Sequence, residues 1–266
     1  MMAELSEIFS FLRQPSRQSG TMKRRPIYKF HPENSCYKNW GFAIYRTYYG
    51  AESDTPWKTL LEVLKQQTLL SVGYYENEHI WKRDWKWYMG PWKDKAKYVA
   101  SLDTFKSLFR LLPKEDPLLL KDLDIKDLRD ICQKEHPEAE ERMAGASFCF
   151  VLVADKAVLD GIARNEFLVK ALGYDWEGHI EDGGWGWVRL ETGRLLELWE
   201  ALLLSQLMDN SKYYSLGFEG PERDLETYLW NGDIFIPPLC DCSKAEMADP
   251  LTVSVRPWFT FNHQLR

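Results

Sequence analysis

The chain reads as an α+β domain, a mainly antiparallel sheet flanked by helices, because a strand followed at once by a capped helix occurs three times along it. These units begin at Trp40–Gly50, Phe148–Ala154 and Trp185–Leu190. A ferredoxin-like arrangement decorated by insertions is one form such a sheet can take, and an α/β sheet is the alternative, since strand-then-helix order is common to both.

The first strand carries Phe42, Ile44, Arg46 and Tyr48 on one face and Ala43, Tyr45, Thr47 and Tyr49 on the other. Both faces are largely apolar, which predicts a central strand. Asp54 or Thr55 then offers an N-cap and Pro56 suits a first turn, while Trp57, Leu60, Leu61 and Leu64 follow helical spacing. Asp103 is expected to cap a helix with Phe105, Leu108, Phe109 and Leu112 on one face, ended by Pro113. Asp124 begins another, with Ile125, Leu128 and Ile131 inward, closed by His136-Pro137.

Phe148–Ala154 is continuously apolar, as a strand covered on both faces must be, and Asp155 is placed to cap a helix bearing Val158, Leu159 and Ile162. Trp185–Leu190 alternates as a strand; Thr192 is the expected cap of a helix with the stripe Leu195, Leu196, Trp199, Leu202 and Leu203. Further on, Glu222–Trp230 predicts a short helix, Asp233–Ile236 a short strand, and Thr252–Phe261 an edge strand interrupted by Pro257. Residues 39–266 are therefore one domain with an irregular C-terminal extension from about 210. Residues 1–38, with a short helix at Ala3–Leu12 and then a Pro-, Ser- and Arg-containing stretch, read as a mobile leader or linker, a targeting segment being the alternative.

The 266 residues are 45% hydrophobic and 28% charged, enough to bury a sizeable core, and the net charge of −6 argues against nucleic acid and anionic membrane surfaces as partners. Five cysteines without regular spacing do not form a disulfide framework and point to a reducing, cytoplasmic setting. No phosphate-cradling loop, nucleophile elbow or zinc signature stands in the sequence, so no cofactor and no metal is expected: Gly183-Gly184-Trp185-Gly186 precedes a strand, and Cys240-Asp241-Cys242 is too tightly spaced for a zinc knuckle.

Three weaker hints concern chemistry. The segment 79–97 interleaves Trp81, Trp85, Tyr88 and Trp92 with lysines and arginines; ordinary helix packing is the plain reading, and a partner surface is the functional one. His179, between Glu177 and Glu181-Asp182, is the candidate for proton transfer, although a solvated loop explains it as well. Tyr45, Arg46, Tyr48 and Trp185 are candidate ligand-binding residues if they face a cavity, the plain alternative being that Arg46 pairs at the sheet margin.

The pattern Trp40-Gly41-Phe-x-Ile-Tyr-Arg-Thr-x-Tyr49 with Asp54 and Trp57, then Phe148–Asp155 and Trp185–Leu190, resembles a group of uncharacterised proteins of filamentous fungi over residues 39 to 205. The resemblance implies a compact α+β domain and a fungal source, and it carries no activity. Two functions are thus expected from the residues: a non-catalytic interaction or accessory module with a protein partner, or a cofactor-independent enzyme acting on a small apolar metabolite in an aromatic-lined pocket, as in fungal secondary metabolism.

Overall fold

A computed structural model describes residues 4–13, 37–77, 95–137, 143–176, 185–207, 221–230 and 232. Among these residues five strands form one sheet in the order β2-β1-β3-β4-β5: β1 (Trp40–Arg46), β2 (Phe109–Lys114), β3 (Phe150–Ala154), β4 (Leu168–Gly173) and β5 (Trp187–Glu191). Around it lie α1 (Leu5–Leu12), α2 (Asp54–Ser71), α3 (Lys95–Ser107), a single turn α4 (Pro117–Leu120), α5 (Ile125–Glu135), α6 (Lys156–Ala163) and α7 (Leu195–Leu207). The class is α+β.

The sheet is mixed, where a mainly antiparallel one was expected. β1 pairs in parallel with both β2 and β3, whereas β3–β4 and β4–β5 are antiparallel. The long helical connections after β1 and β2 return the chain to the same end of the sheet, which parallel pairing requires. That parallel half sets the sheet apart from a ferredoxin-like one.

All seven residues of β1 are buried, and strands on both sides pair with it. Gly41 adopts φ +128°, and a Cβ there would lie 1.9 Å from the Arg110 carbonyl oxygen of β2. Only glycine tolerates both conditions.

Successive side chains of β1 reach helices on opposite faces: Tyr45 meets Glu135 of α5, and Arg46 meets Asp54 of α2. The helix expected over 105–112 ends at Ser107, and Phe109–Lys114 forms β2 instead. Asp103 accordingly lies inside α3 and caps nothing. Pro113 sits in the outermost strand, where its missing amide hydrogen costs no ladder bond.

Asp124 and Asp155 cap their helices as expected, accepting from the amides of Asp127 and Val158, and His136 closes α5 in the left-handed conformation. Thr192 does not cap α7; its hydroxyl donates to Gln67 Oε1 of α2 at 2.6 Å, and a short 3₁₀ turn over Thr192–Arg194 leads into the helix. The stripe Leu195, Leu196, Trp199, Leu202 and Leu203 is buried as expected.

The core is aromatic. Trp40 stacks on Phe105 of α3 with centroids 4.4 Å apart and donates its indole N–H to the Phe105 carbonyl at 2.7 Å. Trp199 of α7 packs 5.4 Å from Trp40 and 6.0 Å from Phe11 of α1. Leu5, Ile8, Phe9 and Leu12 are buried, so α1, placed in the expected leader, belongs to this core. Near the other sheet margin the segment 221–230 lies against β5: Leu229 bridges Arg189, and the Trp230 amide donates to the Arg189 carbonyl at 2.8 Å. Among the described residues no helix is long and apolar enough to cross a membrane.

Candidate functional site

Several polar side chains meet at the C-terminal end of β1. Arg46 is buried there, and an interior guanidinium must find partners for its N–H groups. Its Nε donates to the Tyr48 carbonyl at 3.0 Å, and Nη2 donates to Ser53 Oγ at 2.8 Å and Asp54 Oδ1 at 2.5 Å. Nη1 reaches Glu115 Oε2 at 3.4 Å, and the guanidinium lies 4.7 Å from the Tyr49 ring centroid. One side chain thereby joins the end of β1, the first turn of α2 and the residue after β2. The hydrogen bond from Arg46, then its charge, lowers the Asp54 carboxyl below its ordinary range.

Beside this knot opens a cleft of about 920 Å³ between the first turns of α2 and the body of α6. Tyr48, Ser53, Thr55, Thr59, Asp160 and Asn165 supply its polar lining, and Pro56, Leu159, Ile162 and Ala163 its apolar lining. Lys156 pairs with Asp160, and its Nζ stands 5.4 Å from the Tyr48 ring centroid. The hydrogen bond to Asp160, then the carboxylate charge, raises the Lys156 ammonium above its usual value.

The sequence candidates separate in space. Tyr48 lines the cleft. Tyr45 lies inside, its hydroxyl donating to Glu135 Oε2 at 3.1 Å. Burial first, then Cys132 and Glu135, pushes that phenol far above the ordinary tyrosine range. Arg46 is a paired clamp at the end of β1, an interior strand, and not at the sheet margin that the plain reading gave it.

Trp185 belongs to another locus: its carbonyl accepts from Arg129 Nη2 at 2.7 Å, and the Arg129 guanidinium lies 4.4 Å from the Trp176 ring. Burial lowers Arg129 to about 10. His179, Trp81, Trp85 and Trp92 fall outside the described residues.

A second buried cation sits on β4. Lys170 Nζ is 2.8 Å from Asp155 Oδ2 and 2.7 Å from Glu226 Oε1, and it stands 4.8 Å from the Trp187 ring centroid. No group of three or more His, Cys, Asp or Glu side chains is placed to hold a metal among the described residues.

Thr59, Asp160 and Asn165 were not singled out from the sequence and Thr55 only as a possible helix cap, and the i,i+4 spacing of Lys156 and Asp160 was the one local signal among them. Fold and site together define an α+β domain with an open, mixed-polarity cleft at the C-terminal end of its parallel strands. No protein-family model, curated protein or solved structure matches the chain.

Proposed function

We propose that the protein is a non-catalytic interaction module whose recognition face is the cleft between α2 and α6. The observation that carries this reading is the cleft itself, about 920 Å³ and open to solvent, with hydroxyl, amide and carboxylate groups interspersed among Pro56, Leu159 and Ala163. Mixed linings of this kind suit a polypeptide segment, which presents both amides and side chains. The two cations beside it support the same reading: Arg46 is committed to Asp54 and Glu115, and Lys156 to Asp160.

The cofactor-independent enzyme is the second reading, favoured by one observation: the cleft volume falls within the range of small-molecule sites, roughly 300–1,000 Å³. One experiment separates the two. Thr59→Arg places a cation in the cleft from a half-buried helical position and leaves the core intact. The module reading expects a partner protein retained by the full chain and lost by Thr59→Arg, with no thermal shift in metabolite extracts. A metabolite that raises the melting temperature of the parent chain but not of Thr59→Arg overturns the module in favour of the enzyme.

A further inference from the structure

We infer that Arg129, flanked by the indoles of Trp176 and Trp185, is a receptor for a carboxylate carried on an apolar body; the site stands apart from the α2–α6 cleft. Other cations withdrawn from solvent in this domain are matched by anions. Arg46 holds Asp54 and Glu115, Lys170 holds Asp155 and Glu226, and Arg194 holds Glu191 and Glu197. Arg129 is half-buried, and no carboxylate among the described residues stands within ion-pair distance of it.

Its own partners are uncharged. Nε donates to the Gly173 carbonyl at 3.2 Å and Nη2 to the Trp185 carbonyl at 2.7 Å. Carbonyls satisfy hydrogen bonds but carry no net charge, and a desolvated cation is costly until an anion joins it. Glu222 is the one carboxylate whose charge reaches Arg129, and it accepts from the Trp187 indole at 3.4 Å instead. Burial outweighs that charge and lowers Arg129 to about 10.

The geometry selects the ligand. A guanidinium presents its N–H donors as a rigid planar fork, and those left over on Nη1 and Nη2 meet no acceptor among the described residues. A carboxylate is planar, singly charged and matched to such a fork. Trp176 lies 4.4 Å from the guanidinium and 6.5 Å from Trp185, centroid to centroid, and both indoles are half-buried. Their open surface offers an apolar body a place to lie beside the charge.

The receptor is also preformed. Gly186 adopts φ +68°, and a Cβ there would lie 2.6 Å from Trp176 Cγ and 2.7 Å from Arg129 Nη2, so only glycine lets cation and indole approach this backbone. One turn along α5, Gln133 Nε2 donates to the Tyr174 carbonyl at 2.7 Å, which fixes the helix against the end of β4.

The test titrates the full chain with phenylacetate and with phenylacetamide, its uncharged counterpart, by calorimetry and by NMR of the Arg129 Nε–H. Phenylacetate should bind in the millimolar range, move that resonance and bind more weakly as salt rises, whereas phenylacetamide should do none of these. Arg129→Gln should weaken binding at least about tenfold, and Arg129→Lys, which keeps the charge and loses the fork, by severalfold. The acid–amide comparison in the parent chain decides the matter even where a variant fails to fold.

Equal binding of acid and amide, no binding of either, or an unmoved Arg129 resonance overturns the inference. So does a parent chain that ignores phenylacetate beside a Glu177→Gln, Glu181→Gln, Asp182→Asn variant that binds it, because the anion is then the chain's own. A blocked Phe-Glu peptide, set against Phe-Gln, identifies the source: tighter binding than phenylacetate assigns an acidic side chain of a protein partner, and weaker binding assigns a free carboxylic acid. Either result keeps the receptor.

Discussion

Asp155 serves Lys170 and the start of α6 with different oxygens: Oδ2 lies 2.8 Å from the Lys170 ammonium, and Oδ1 accepts the Val158 amide at 2.9 Å. A helix cap and a buried ion pair thus share one carboxylate. Asp155→Asn preserves the cap and halves the anionic partnership of Lys170, whereas Asp155→Ala removes both. We expect Asp155→Ala to be destabilising by about 2–3 kcal/mol, of which the cap accounts for about 1. Asp155→Asn should cost less, and urea denaturation of the two variants checks the order.

Arg46 should be the costlier residue to lose. Arg46→Met leaves Ser53, Asp54 and Glu115 without their common donor, although the two carboxylates face solvent. The expected loss is roughly 2–4 kcal/mol. A pH dependence accompanies it. The Asp54 carboxyl is held low, so its pairing contributes stability above the ordinary aspartate value and loses it as pH falls through the depressed folded value. Arg46→Met should flatten that acid limb and return the Asp54 titration, followed by NMR, toward the ordinary range.

Tyr45 acts at the opposite end of the pH scale. Its phenol is raised by burial and by its neighbours Cys132 and Glu135, so the native state favours the protonated form. Stability is full below the ordinary tyrosine value, about 10, and declines as pH climbs above it because only the unfolded chain ionises readily. Tyr45→Phe should cost about 1 kcal/mol at neutral pH through the lost hydrogen bond to Glu135 and make the alkaline decline shallower. Urea melts at pH 8 and above measure both effects.

Gly41 tests the sheet itself. Gly41→Ala would force an alanine into φ +128° with its Cβ 1.9 Å from the Arg110 carbonyl oxygen, so β1 and β2 must separate. The expected cost is about 3 kcal/mol or more, large for one methyl group. Thermal unfolding reports it directly, and no cleft residue is touched.

What the sequence made legible was what is local. The caps at Asp124 and Asp155 and the terminator His136 are written in side chains within four residues of their targets, and all three are found in place. β1 was legible because its run of apolar and aromatic residues on both faces is bounded by the first turn of α2. β2 was not. Phe105, Leu108, Phe109 and Leu112 follow helical spacing, but they straddle the end of α3 and the start of a strand whose pairing with β1 outweighs that periodicity.

β4 went unread because Lys170 stands in the middle of Leu168–Gly173, and only the distant carboxylates of Asp155 and Glu226 make a lysine acceptable there. The site divides in the same way. Tyr48 could be named from the strand it follows, whereas Asp160 and Asn165 reach the cleft only through the packing of α6 on α2.

The segment 221–230 lies over the outer strand of the sheet, with Leu229 bridging Arg189 and the Arg189 side chain donating to the Glu226 carbonyl. The opposite outer strand, β2, carries Pro113 in a register facing Ile44. An open sheet margin is a template on which a second chain can add its own strand, the first step of runaway aggregation. Here one margin is covered by the chain's own later residues, and the other is interrupted by an imino acid with no hydrogen to give. The ion pair of Lys170 with Glu226 ties the covering segment to β4, so a salt link inside the domain also fastens the strip that shields this sheet edge.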